Sequence, residues 1–447
     1  MKTITSHIAR LLFLALMCWS AAYADAKQIE LEATLATPVM KAGKSQTAFL
    51  KVALTGFPLP IQGQRSPANV AIVIDKSGSM AGDRIARAKE AAMMAVNGLG
   101  QNDIVAIVAF DDRVEVVAPA TKVSEKAAIT RAIERIQAGG GTALFAGVSK
   151  GAQEVRKFLD RTRVNRVILL SDGQANVGPS SPSELGQLGS ALAREGISVT
   201  TVGLGLGYNE DLMTQLAGYS DGNHAFVENP QDLARIFKNE FGDVGSVVAQ
   251  EVEVTIRLNR SIRPLRILGR DGEIMDGTVR MRMNQLYSEQ EKYIILEVEI
   301  PAGKAGERLG LASVDVSYLN MQSKNKDALS RSVAVNFTDS ADKVAQSTDK
   351  KAMTSAVQQV SNLRSKQAVQ LLDQGKADEA KKVLNENADY LKEKAQALQA
   401  PELKKMEEET RRQAAAPAAS VMGGLFSGSA ERKKIKEQQY KIENQQK

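Results

Sequence analysis

"NVAIVIDKSGSM", Asn69 to Met80, runs a continuous apolar segment into an aspartate and then into two serines with a glycine between them. A strand with no polar face from Val70 to Ile74 is covered on both sides, as in a parallel sheet, so it delivers Asp75 to the carboxyl edge of that sheet. The next residues turn over the edge, and this spacing predicts Ser77 and Ser79 pointing the same way as Asp75. Three oxygens would converge there.

Outward from this strand the pattern repeats. Asp83 to Leu99 places Ile85, Ala88, Ala92, Val96 and Leu99 at helical spacing, and "DIVAIVAF" from Asp103 is a second buried strand. Helical patterns then alternate with "RVILL", "ISVTTVGLG" and "HAFV" as far as Phe241. Buried strands taking turns with helices predict a doubly wound α/β domain over residues 66–242, whose ligands collect beyond the carboxyl ends of the strands.

Flanking segments read differently. Residues 25–65 hold two alternating strands, too few for a core of their own. Beyond Gly245, "VVAQEVEVTIRL", "TVRMRM", "KYIILEVEI", "LASVDVSYL" and "RSVAVNF" alternate without helical spacing, which predicts an antiparallel β-sandwich over 243–339. The early strands are expected to join it, making the α/β unit an insertion. Residues 340–412 are rich in Ala, Gln, Lys and Glu and read as a helical hairpin turning at Gly375. Residues 413–447 read as a flexible small-residue linker and a basic, solvated tail.

The first 24 residues carry Lys2 and Arg10, an apolar run from Leu11 to Trp19, and "AAYA" ending at Ala24, the order of a secretory signal peptide. No later stretch is apolar enough to span a bilayer, so a periplasmic or secreted chain without a stable membrane anchor is expected. Cys18 and His7 both lie in this leader, leaving His224 as the lone imidazole of the remainder and no thiol. That excludes thiol catalysis and His-rich zinc sites there. Removing the leader reduces 58 Lys and Arg to 56 against 52 acidic residues, a balance that gives no reason to expect nucleic acid.

Two further loops reach the same sheet edge: "GGGTALF", offering Thr142, and "LLSDGQANVG", offering Asp172. Asp75, Ser77, Ser79, Thr142 and Asp172 are all hard oxygen donors, suited to Mg²⁺, Mn²⁺ or Ca²⁺ rather than Zn²⁺. Two carboxylates and three hydroxyls leave such an ion weakly neutralised, and an acidic side chain of another molecule would complete it.

"DKSGSM" followed by Thr142 and Asp172 resembles the metal-ion-dependent adhesion site of von Willebrand factor type A (VWA) domains, with Asp75, Ser77 and Ser79 meeting D-x-S-x-S. The resemblance implies a Rossmann-like fold that binds a protein partner's carboxylate through a divalent cation, without catalysis. The surrounding chain looks like exported bacterial proteins carrying this domain and, more distantly, inter-alpha-trypsin inhibitor heavy chains. It departs from the latter in having fewer than 45 residues between leader and α/β unit and no Asp-Pro-His motif, so hyaluronan attachment is not implied. Two other readings are a subunit of a magnesium chelatase-like or ATPase-associated complex, which export opposes, and a metal-dependent hydrolase, for which no tunable base is apparent.

Overall fold

The computed structural model describes residues 27–59, 65–416 and 430–446; the expected leader, and residues 417–429 of the expected linker, lie outside them. The chain begins with β1 (Ile29–Leu35), β2 (Val39–Lys41) and β3 (Gln46–Gly56). In β1, alternation buries Ile29, Leu31 and Leu35, and β3 turns Ala48, Leu50, Val52 and Leu54 to the same core.

The α/β unit follows as β4 (Ala68–Asp75), α1 (Asp83–Gly98), β5 (Ile104–Phe110), β6 (Val114–Lys122), α2 (Lys126–Glu134), α3 (Leu144–Arg156), β7 (Val164–Ser171), α4 (Pro182–Arg194), β8 (Ser198–Leu204), α5 (Glu210–Tyr219), β9 (His224–Val227) and α6 (Leu233–Gly245). Its strand order is β6-β5-β4-β7-β8-β9. All neighbours are parallel except β5 and β6. Every residue of β4, β5 and β7 is buried, as their apolar runs require. The chain builds outward from β4 through β5 to β6, then returns to place β7 on the other side. The sheet therefore reverses direction between β4 and β7, and a crevice opens at their carboxyl ends.

The remaining strands are β10 (Val247–Leu258), β11 (Arg263–Leu268), β12 (Glu273–Met275), β13 (Thr278–Tyr287), β14 (Glu291–Ile300), β15 (Arg308–Asn320) and β16 (Lys326–Thr338). They form two sheets, ordered β1-β3-β14-β11 and β12-β13-β10-β15-β16-β2, around one apolar core. β3 pairs with β14 from Thr55 opposite Glu291 to Gln46 opposite Ile300. Residues on both sides of the α/β unit thus share a sheet. Within the otherwise antiparallel β-domain, β2 runs parallel to β16.

Buried ion pairs join the two units. Arg166 of β7, wholly buried, meets Glu240 of α6 and reaches Gln285 and the Tyr287 hydroxyl of β13. Asp221 accepts from Arg270 at 2.8 Å and from the Asn284 N–H at 2.6 Å, with Lys292 at 3.3 Å.

Where a single hairpin was expected, the helical part runs through α7 (Ala341–Gln346), α8 (Lys350–Asp373), α9 (Ala377–Leu398) and α10 (Pro401–Ala415). Gly375, at φ +77°, turns α8 into α9, while Gln399 in the left-handed region and Pro401 at the first turn separate α9 from α10. α8 lies on the first sheet, packing Ala356 and Val360 against Ala53, Tyr293 and Ile295.

The basic tail departs from its sequence reading. Ala430–Asn444 is α11, and its Arg432, Lys433, Gln439 and Tyr440 are buried. These residue types do not read as a core face by hydropathy. They are buried here because carboxylates on α5 and α8 and carbonyl groups on either side of α5 meet Arg432, Lys433 and Tyr440, and the Ser365 hydroxyl of α8 meets Gln439.

Candidate metal site at the sheet edge

Asp75 closes β4 and is fully buried. The chain after it is tied to its neighbours: the Lys76 N–H donates to Phe110 O at 2.7 Å, and the Gly78 N–H to Gly140 O at 3.0 Å. The Ser77 N–H donates to Asp75 Oδ1 at 2.8 Å, a short polar turn that points the carboxylate along the edge. The second oxygen, Oδ2, accepts from the Ser171 hydroxyl, the last residue of β7.

Four of the five expected residues form one hydrogen-bonded chain. The Ser77 and Ser79 hydroxyls lie 3.1 Å apart, and Ser79 Oγ donates to Asp172 Oδ1 at 2.7 Å. Asp75 joins through the Ser77 backbone. Thr142 comes from the loop before α3, where its N–H donates to Asn176 Oδ1 at 2.8 Å and its carbonyl accepts from the Asn176 N–H at 3.2 Å. This loop is held because α3 lies directly on the sheet: a Cβ on Gly151 would come within 2.5 Å of Val73 Cγ2. Gly173 completes the cradle, since a Cβ there would sit 3.0 Å from Thr142 Oγ1 and 3.6 Å from Asp75 Oδ2. A side chain there would crowd the Thr142 hydroxyl.

Two carboxylates thus share a small volume on the inside of the rim. Burial, with some contribution from Asp172, pushes the Asp75 carboxyl up to about 6 against the opposing hydrogen bonds of Ser171 and Ser77. A hard divalent cation suits this donor set. Among the described residues no group of three or more His, Cys, Asp or Glu side chains gathers for a metal, so the arrangement depends on hydroxyls. Ser77, Thr142 and Asp172 are buried and Ser79 is exposed, so the site is approached from the Ser79 side.

Three participants escaped the sequence reading. Ser171 stands within "LLSDGQANVG" immediately before Asp172, yet nothing in its spacing singles it out. Asn176, four residues after Asp172, is an ordinary polar loop residue by sequence. Arg84 pairs with Asp172 Oδ2 and donates to Ser79 O at 3.0 Å. A cation in the first turn of a helix opposes the helix dipole, and that anomaly was the available signal. Asp111, at the end of β5 on the same edge, pairs with Lys76 at 3.0 Å. Val177 and Leu206 are exposed apolar side chains on loops touching the site: the Val177 N–H donates to Thr142 O, and Leu206 lies between Gly205, beside Arg84, and Gly207, against Asp172 O.

Residues 69–239 match the family model of the von Willebrand factor type A domain. An uncharacterized protein of Synechocystis is 28% identical over 279 residues, 60% of this chain and 65% of that one. Human inter-alpha-trypsin inhibitor heavy chain H2 is 26% identical over 42% of this chain and 21% of its own length. The chain thus spans less than two thirds of these relatives. A structure of a von Willebrand factor type A protein from Catenulispora acidiphila superposes with a TM-score of 0.67 at 17% identity, covering 86% of this chain and 91% of that one. That likeness is one of fold, and it extends well beyond the α/β unit. The chain carries a von Willebrand factor type A domain, a Rossmann-like module that is typically a metal-dependent site of protein interaction.

Proposed function

We propose that this von Willebrand factor type A domain protein is a divalent-cation-dependent protein-binding module of the bacterial envelope or exterior, periplasmic or secreted. Its ion takes the final ligand from an acidic side chain of a protein partner. The reading is supported above all by the meeting of Asp75, Ser77, Ser79 and Asp172 in one hydrogen-bonded chain at the reversal point of the sheet, with Thr142 beside them.

Asp75, Ser77, Ser79, Thr142 and Asp172 would hold Mg²⁺, Mn²⁺ or Ca²⁺, which when bound supplies a hard Lewis-acidic position for a carboxylate. The chain's own residues do the positioning. Ser171 and the Ser77 N–H fix Asp75, Asn176 fixes Thr142, and exposed Ser79 marks the open side. Val177 and Leu206, exposed apolar side chains beside the site, offer a partner apolar area to bury next to the ion.

Binding is favoured over metal-assisted hydrolysis. His224, the sole histidine among the described residues, is fully buried with Nδ1 2.9 Å from the Thr201 hydroxyl, and burial lowers it to about 3. It therefore offers no base tuned to neutral pH. Among the described residues no helix is long and apolar enough to cross a membrane.

Calorimetric titration of Mg²⁺ and Mn²⁺ into the purified chain, beside Asp75→Ala, tests the reading. One ion bound by the parent and none by the variant is expected. Absence of binding in the parent, or equal binding in both, overturns it.

A further inference from the structure

Helix α11 is tied at one end to the loop that borders the candidate site. Lys433, with no exposed surface, donates to Tyr208 O at 2.6 Å and pairs with Glu210 at 2.7 Å, its ammonium 4.0 Å from the Tyr208 ring centre. Arg432 pairs with the other oxygen of Glu210 at 2.7 Å, with Asp373 at the end of α8 at 2.8 Å, and with Asp211 at 3.2 Å. At the far end the Tyr440 hydroxyl donates to Gly222 O at 2.8 Å, and the Gln359 side chain donates to Ile442 O at 2.7 Å.

The loop held by Lys433 is residues 205–209, between β8 and α5. Its other side is packed against the site. A Cβ on Gly207 would meet Asp172 O at 2.7 Å, and one on Gly205 would meet the Arg84 guanidinium at 3.3 Å. The Tyr208 ring is pressed on β8 so closely that a Cβ on Gly203 would overlap it. A displacement of Tyr208 therefore has few directions open to it that leave Asp172 and Arg84 untouched.

We infer that α11 is a latch on the candidate site: seated, Lys433 fixes the 205–209 loop and with it Asp172 and Leu206; released, it frees both. The inference rests on the functional reading of that site. Attachment through buried ion pairs favours a specific seat more than a deep energy well, because desolvation offsets much of the attraction. Beneath the helix the Tyr208 hydroxyl and His224 Nε2 are buried without a hydrogen-bond partner, a further cost of the seated state. The helix sequence, "AERKKIKEQQYKIEN", is polar enough to be solvated when released.

The test is amide exchange by mass spectrometry on the full chain and on Lys433→Met, which keeps the apolar stem against Tyr208 but loses the charge, with Lys434→Ala as a control at an exposed pair. Lys433→Met should speed exchange in residues 204–212 and also in 171–177, while Lys434→Ala changes neither. Faster exchange in 204–212 with 171–177 unchanged overturns the inference, as does no change in either. If Lys433→Met loses cooperative unfolding, Glu210→Gln, which weakens the same seat from the other side, is measured against the same two criteria. Mg²⁺ titration of the same variant should show a change of about fivefold in affinity, the lower range of ordinary coupling between sites. A parent that binds no metal defeats the functional reading alone, because the exchange result still decides whether α11 holds the site.

Discussion

Charge is buried in two ways in this molecule. Where the α/β unit meets the β-domain and α11, carboxylates are answered by cations: Glu240 by Arg166, Asp221 by Arg270 and Lys292, Glu210 by Arg432 and Lys433. At the sheet edge, Asp75 and Asp172 lie in one small volume with hydroxyls and a single, partly exposed arginine. The first arrangement is closed on itself, and the second is not. The balance of partners, rather than burial itself, separates a structural cluster from a site that wants a ligand.

The largest effect should come from breaking the closed side. Arg166→Met removes the guanidinium from Glu240, Gln285 and Tyr287 and leaves Glu240 buried among the Thr200 hydroxyl and Asn223 amide. A loss of about 3–5 kcal/mol is expected in urea-induced unfolding, as for a buried pair deprived of one partner. Asp75→Asn should cost less than about 1 kcal/mol in the same assay, because an amide keeps the Ser77 contact and relieves a buried charge. Equal losses in the two variants would dissolve the distinction between the clusters.

The open side was legible in the sequence and much of the closed side was not. Asp75, Thr142 and Asp172 each follow or precede a strongly patterned element, so their meeting at one edge follows from strand order. The parallel sheet itself was readable from apolar runs that have no solvated face. Arg166, by contrast, merely opens "RVILL", and its partners Glu240 and Gln285 lie 74 and 119 positions away along the chain. α11 was hidden for the same reason: a helix whose buried face mixes Arg432, Lys433 and Gln439 with Ile435 and Tyr440 carries only a weak hydrophobic pattern. Long-range charge matching leaves no local periodicity to read.

A middle-sized effect concerns pH. Burial first, with Lys441 and Lys433 adding to it, lowers His224 from its ordinary value to about 3, and the buried rings of Tyr208 and Tyr440 pack around it. The native state keeps this imidazole neutral, while the unfolded chain takes up a proton below about 6.5. Stability from this group is therefore full above that pH and is lost as pH falls from about 6.5 towards 3, at up to about 1.4 kcal/mol per pH unit. His224→Gln should flatten this part of the profile in urea unfolding between pH 7 and 5. An unchanged slope would show that the imidazole reaches solvent in the native state.

The smallest expected effect asks whether Arg84 belongs to the open side or the closed one. Its guanidinium pairs with Asp172 and with Ser79 O, yet its side chain is 38% exposed, unlike the sealed arginine at the junction. If Asp172 is poised for a divalent ion, a fixed positive charge beside it opposes that ion, weakened by solvent screening. Arg84→Gln should then raise Mg²⁺ affinity by about three- to tenfold, or about 0.7–1.4 kcal/mol by calorimetry. The Gln can still donate to Ser79 O, so a loss of the loop's shape is not the natural consequence. A fall in affinity instead would mean that Arg84 aims Asp172 for the ion, making the edge site more like the matched clusters than its open face suggests.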